Sequence, residues 1–195
     1  MESLPLQSQI NIYTDGSKTK THRGLGYTII KGNNTVKEGS RRLPNENTVF
    51  QAELMAIKLA MEDLEPILTE QDRYLKIFSD SQAAIQGLNS NSITSQLVKD
   101  TITSLSAIGN RVHKLEIIWI KAHVGHPGNE RADQLARDAT QLENIHSTEI
   151  LTPYSHFKKQ LLDTTYALWK DEWSTQQTCR LSKNFLPYTS KHKSK

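Results

Sequence analysis

Apolar and polar residues first alternate and then cycle along this chain, and the change of period marks its elements. In QINIYTD (9–15), Ile10, Ile12 and Thr14 fall on one side, as in a strand. LGYTIIKGN (25–33) is rich in β-branched and aromatic residues and runs into Gly32-Asn33-Asn34, a turn signal. TVKEGSRRL (35–43) reads as its hairpin partner, closed by Pro44. From Thr48 the period becomes helical. Thr48 and Gln51 have capping-box spacing, Leu54, Ile57, Met61 and Leu64 share a face, and Pro66 ends the pattern. YLKIFSD (74–80) predicts a fourth strand, SQAAIQGL (81–88) a short helix, and SITSQLVKDTITSLSAIGN (92–110) a second helix stopping at Gly109-Asn110. HKLEIIWIKA (113–122) predicts a fifth strand, followed by the loop HVGHPGN. Asn129 is placed to cap a last core helix, NERADQLARDATQ, with Leu135, Ala139 and Leu142 on its apolar side.

The order βββ-α-β-α-α-β-α predicts an α/β domain with a five-stranded mixed sheet, its first three strands antiparallel, flanked by helices. After Pro153, Leu162, Tyr166, Trp169 and Trp173 mark one further helix, about 154–174, read as a docking surface. The last fifteen or so residues are expected to be disordered. The division is therefore an N-terminal segment 1–8, a core domain 9–145 and a C-terminal extension 146–195.

Charge follows this division. The chain of 195 residues has a net charge of +3, but residues 151–195 carry eight Lys and Arg against Asp163, Asp171 and Glu172, leaving −2 on residues 1–150. A basic tail points to a polyanionic partner, and the acidic body then needs an explanation. One cysteine, Cys179, excludes a disulfide framework and a Cys-based zinc site. No apolar run has the length of a membrane span, so no membrane association is expected. MESLPLQSQ lacks the basic and apolar regions of a secretion signal, and an intracellular location is expected.

Four acids occupy suggestive places. Asp15 ends the first strand, Asp80 ends the fourth, and Glu53 and Asp133 lie early in helices. Each has an ordinary reading: a turn at Asp15-Gly16, a helix-start acid at Glu53, an N-cap at Asp80-Ser81, a surface residue at Asp133. If the first and fourth strands are neighbours, however, Asp15 and Asp80 stand side by side. Two unit charges 4 Å apart repel by about 4 kcal/mol even at an effective dielectric near 20, so a cluster of four would require cations or bound protons. An all-oxygen set suits Mg²⁺ or Mn²⁺. Setting these four acids aside leaves residues 1–150 at +2, which accounts for the acidic body.

The stretches YTDGS (13–17), FQAELMAI (50–57), FSDSQAAI (78–85) and WIKAHVGHPGNERADQLA (119–136) resemble a type 1 ribonuclease H domain over about residues 9–141. Their wording, with the Trp-bearing segment after Pro153-Tyr154, is most like that of non-LTR retrotransposons. The resemblance implies the RNase H-like fold. It also implies hydrolysis of the RNA strand of an RNA/DNA hybrid, leaving 5′-phosphate and 3′-hydroxyl ends. Asp15, Glu53, Asp80 and Asp133 would be the catalytic carboxylates and hold two Mg²⁺ (Mn²⁺ as alternative), and His123 would assist proton transfer or product release. Gly16, Ser17, Thr48, Gln82 and Asn129 would face the substrate, with Gln82 in the minor groove and Thr48 at a DNA-strand phosphate. His126 is expected to stabilise its loop and Trp119 to pack in the core. Lys18, Lys20, Arg23, Arg41 and Arg42 are candidate phosphate contacts. A reverse transcriptase is the implied protein partner, through the C-terminal helix.

Two departures qualify the resemblance. Val49 and Phe50 stand where cellular members carry a pair of asparagines, and residues 81–112 hold only Lys99 and Arg111 where bacterial-type enzymes insert a basic helix. Fewer phosphate contacts imply weak binding by the isolated domain. The competing readings are a catalytically silent, element-derived binding module and an integrase-type nuclease. All four acids and His123 are present, and the HVGHPGNE loop is absent from integrase-type domains, which favours the hybrid-cutting enzyme.

Overall fold

The computed structural model describes residues 9–93, 95–143 and 152–175, in two compact units, residues 1–150 and 151–195. The first unit opens with three antiparallel strands, β1 (Gln9–Lys18), β2 (Arg23–Lys31) and β3 (Asn34–Leu43). Then follow α1 (Val49–Leu64), β4 (Tyr74–Ser79), α2 (Gln82–Leu88), α3 (Gln96–Gly109), β5 (Lys114–Trp119) and α4 (Pro127–Ala139). The sheet order is β3-β2-β1-β4-β5, with β4 parallel to both β1 and β5. Parallel pairing needs a crossover, and α1 supplies the one between β1's hairpins and β4. The expected five-stranded mixed sheet is the one observed.

Ile10 and Ile12 of β1, Leu25 and Ile29 of β2, and Leu75 and Ile77 of β4 are buried with α1's Leu54, Ile57, Met61 and Leu64. The capping box is complete: Thr48 Oγ1 accepts from Gln51 N, and Gln51 Oε1 accepts from Thr48 N. Tyr27 ties β2 to α1 by donating its hydroxyl proton to Asp63 Oδ2 at 2.5 Å. On the other face α4 comes down onto β2, where Gly24 and Gly26 alternate with the core residues. A Cβ on Gly26 would lie 2.4 Å from Ala132 O and 2.5 Å from Ala136 N, so only glycine admits the helix backbone this closely. Gly26→Ala is expected to destabilise the fold by about 3 kcal/mol through overpacking, read as a lower urea midpoint at an unchanged slope.

Several boundaries differ from expectation, and Asp15 does not end the first strand, because β1 goes on pairing with β2 as far as Lys18. The second predicted helix starts at Gln96 rather than Ser92, because Ser90 Oγ donates to Ser92 O and accepts from Ser92 N, holding a local turn there. The fifth strand ends at Trp119. The last core helix starts at Pro127, with His126 at the N-cap, because proline at the first helical position is already set for the turn. Asn129 is thus inside the helix and is not its cap. The buried side of α4 is Ala132, Ala136 and Ala139, the small side chains that the glycine strand demands, whereas Leu142 is exposed.

The second unit contains α5 (Tyr154–Thr175), on which Tyr166 and Trp169 meet edge to face at 6.1 Å. Tyr154, Phe157, Leu161, Leu162, Leu168 and Trp169 are exposed. The segment 1–8 and the end expected to be disordered lie outside the described residues. No helix among the described residues is long and apolar enough to cross a membrane.

Candidate active site

The parallel β1–β4 ladder ends at the pair Thr14–Ser79, so Asp15 and Asp80 emerge together from adjacent strands. Ser81 takes the N-cap of α2, its hydroxyl accepting from Ala84 N, which leaves the Asp80 carboxylate out of the cap. The Asp80 carbonyl accepts from Trp119 Nε1 at 3.0 Å across the end of β5. Trp119 is therefore not a core residue: it is 47 % exposed, and its N–H fastens the turn that carries Asp80. Glu53 reaches the same place from α1, passing over Gly16. A Cβ on Gly16 would lie 2.9 Å from both Glu53 N and Glu53 Cγ, and the Gly16 N–H donates to the Glu53 carboxylate. One carboxylate oxygen each of Asp15, Glu53 and Asp80 lies within 4.8 Å of the others.

The fourth acid stands at the rim. Asp133 on α4 is not part of that trio; its Oδ2 lies 2.7 Å from Arg137 Nη2 and 3.8 Å from His123 Nδ1. Its charge nevertheless acts on both Asp15 and Asp80. His123 is exposed, with a left-handed backbone (φ 55°), in a loop that also contains Gly125 at φ 86°.

The electrostatics are those of a site short of positive charge. Burial, then Asp80 and Asp133, push Asp15 up to about 7, with Arg137 opposing. Burial, then Asp15 and Asp80, hold Glu53 well above its usual range despite the Gly16 N–H. Burial also raises Asp80, against its own backbone N–H and His123. Glu53 Oε2 is buried without a hydrogen-bond partner among the described residues. Three converging carboxylates and an unsatisfied buried oxygen fit a divalent cation held by oxygen ligands, which would satisfy that oxygen and remove the repulsion.

The RNase H family profile matches residues 7–141. The chain is 30 % identical to the ribonuclease H of Shewanella denitrificans over 150 residues, 71 % of this chain and 91 % of that protein. It is 35 % identical to the ribonuclease H of Edwardsiella ictaluri over 147 residues, 67 % of this chain and 89 % of that protein. The chain belongs to the ribonuclease H family. It is a ribonuclease H hydrolase of RNA/DNA hybrids, and these relatives are bacterial. Among solved structures, ribonuclease H1 from Halobacterium salinarum superposes with a TM-score of 0.55 at 21 % identity, covering 68 % of this chain and 98 % of that one, and supports the fold. LC11-RNase H1, solved in complex with an RNA/DNA hybrid, gives a TM-score of 0.54 at 25 % identity and covers 68 % of this chain and 96 % of that one.

Within this ribonuclease H the expected substrate residues separate. Gln82 is exposed at the first position of α2, Ser17 lies near the end of β1, and Thr48 is half-buried in its capping box. Asn129 is only 3 % exposed, and its Oδ1 has no partner among the described residues; burial in α4 removes it from the surface a duplex could touch. Gly16 serves the approach of Glu53. Of the candidate phosphate contacts, Arg23 donates to the backbone oxygens of Asn47, Thr19 and His22, and Arg42 to Leu142 O, so both have structural work. Phe50 packs beside Gly87 of α2, as its apolar character requires. Arg137 and the outward Trp119 were not among the expected site residues. The Asp133–Arg137 spacing of four on a helix was the signal that could have found the arginine.

Proposed function

We propose that this chain cuts the RNA strand with Asp15, Glu53, Asp80 and Asp133 as ligands for two Mg²⁺ ions, Mn²⁺ being the alternative, and with His123 handling a proton at the rim. The observation that carries this reading is the convergence of the buried Asp15 and Glu53 with the half-buried Asp80, Glu53 Oε2 being unsatisfied among the described residues. Divalent ions held by these carboxylates would lower the pKa of an attacking water and stabilise charge on the leaving oxygen. The chain's own contribution is to hold Asp15 and Asp80 just past the last pair of the β1–β4 ladder, and Glu53 and Asp133 in the second turns of α1 and α4. In hydrolysis the water oxygen bonds to phosphorus and the P–O3′ bond breaks. A proton reaches the 3′ oxygen, giving 5′-phosphate and 3′-hydroxyl ends. No side chain is needed as nucleophile. His123 Nδ1, 3.8 Å from Asp133 Oδ2, is exposed enough to exchange protons with solvent.

Substrate choice rests on shape and 2′-hydroxyls, since an A-like duplex hides base identity. Ser17, Thr48 and Gln82 are the contacts on this surface. The narrower assignment to a non-LTR retrotransposon, with a reverse transcriptase as partner of α5, is supported by motif wording and by the exposed Phe157, Leu161 and Trp169.

The test is incubation with RNA/DNA hybrid, RNA duplex and DNA duplex in Mg²⁺, in Mn²⁺ and in chelator. Cleavage confined to the hybrid and abolished by chelator is expected; hybrid binding without cutting in either ion would establish the silent module instead. With about two phosphate contacts, cleavage at limiting substrate should fall about tenfold between 0.05 and 0.2 M KCl, and the scarcity of cations on α2 and α3 keeps the slope from being steeper. A flat salt profile in initial rates would show that phosphate contacts do not govern binding.

A further inference from the structure

Asp15, Glu53 and Asp80 converge, while Asp133 is engaged elsewhere. Arg137 follows Asp133 by one turn of α4, and its Nη2 lies 2.7 Å from Asp133 Oδ2. The side chain of Asp133 is 16 % exposed and that of Arg137 55 %, so the pair straddles the rim between the carboxylates and solvent. Arg137 also acts past its partner, opposing the upward push on Asp15. A helical i,i+4 pair at this exposure contributes little to stability. Its position in the field of the acids is what gives it an effect.

We propose that Arg137 is a positioning residue whose ion pair holds Asp133 off the Asp15–Glu53–Asp80 trio and weakens the chain's binding of a divalent cation that needs Asp133. The inference rests on the four-carboxylate reading above. An incoming cation competes with the guanidinium for the same Oδ2 oxygen and is repelled by its charge. The trio alone, by contrast, can hold a first cation. The two positions therefore differ in affinity, and the weaker one fills at higher ion concentration or when a substrate phosphate adds oxygens of its own.

The test is titration of Mg²⁺, and separately Mn²⁺, into the full chain without nucleic acid, read by calorimetry and by free-Mn²⁺ resonance. Arg137→Met, which keeps length and removes charge, should bind about threefold to tenfold more tightly at the weaker position. Arg137→Lys, which keeps charge and loses the fork, should lie between. Asp133→Asn should lose the weaker binding event, and adding Arg137→Met to it should change nothing. Thermal melting in chelator checks folding, with Arg137→Gln as replacement if the methionine variant is unfolded. If Asp133→Asn weakens binding but the Arg137 variants bind as wild type or more weakly, the inference fails and the four-carboxylate reading stands. If Asp133→Asn binds both ions as wild type, that reading fails and the inference with it.

Discussion

Asp80→Asn is expected to lower hybrid cleavage by about a thousandfold while leaving the fold intact. The amide keeps the size and shape of the carboxylate and removes one negative charge from the trio. A unit charge about 4 Å from a cation is worth about 4 kcal/mol at an effective dielectric near 20, and each 1.4 kcal/mol is tenfold in rate. The local structure does not depend on that charge. Trp119 Nε1 donates to the Asp80 backbone carbonyl, and the cap of α2 is the Ser81 hydroxyl. Single-turnover rates with enzyme in excess, beside circular dichroism and melting of the same preparation, make the measurement. Cleavage within tenfold of wild type would remove Asp80 from the chemistry.

The second large effect is on stability in the absence of metal, and it has the opposite sign. Asp15 is pushed up to about 7 in the folded chain, from an ordinary value of 3.8. The folded state therefore binds this proton more tightly than the unfolded state. Its stabilising share is fully present below about pH 4 and is lost as pH rises through about 7. At pH 8 a shift of this size costs about 4 kcal/mol at 1.36 kcal/mol per unit. Asp15→Asn removes that cost, so in chelator at pH 8 the variant should melt about 10 °C above wild type, and near pH 4 the difference should vanish. Millimolar Mg²⁺ should raise wild type and leave the variant nearly unmoved, because the ion neutralises what the substitution has already removed. Glu53 and Asp80 are raised too, so wild-type melting in chelator should decline from pH 4 to 8. Equal melting of variant and wild type at pH 8 would show that Asp15 is not electrostatically strained.

These two results together separate a catalytic role from a structural one. A carboxylate that merely stabilised the fold would lose stability when replaced by its amide. One held in place for cation chemistry at the cost of stability becomes inactive and more stable at once.

Much of this was legible in the residue order. Thr48 and Gln51 declare the start of α1 because the capping box is made by residues three apart, and the structure contains both of its hydrogen bonds. The strands follow from alternation, and the placing of Asp15 beside Asp80 from the expected adjacency of the first and fourth strands. The two misplaced details have different causes. Trp119 is apolar by type, so composition buries it, but its N–H finds the Asp80 carbonyl in the turn that follows the neighbouring strand β4. Asn129 is a good cap by type, yet Pro127 starts the helix earlier and draws Asn129 into it. Trp119 is decided by a partner distant in the chain, which no local pattern contains, whereas the start at Pro127 is a local signal that outweighs the asparagine two residues on.

The sequence by itself determined the identity of the elements, their order and the four acids, because hydrogen bonding within a turn and burial of one face act between near neighbours. Only the tertiary structure decided how the acids are grouped. Gly24 and Gly26 let the α4 backbone settle on β2, about a hundred residues away in the chain, and Gly16 lets Glu53 cross β1. That packing brings three carboxylates together and leaves Asp133 with Arg137, since close approach of backbones is set by what lies across the interface.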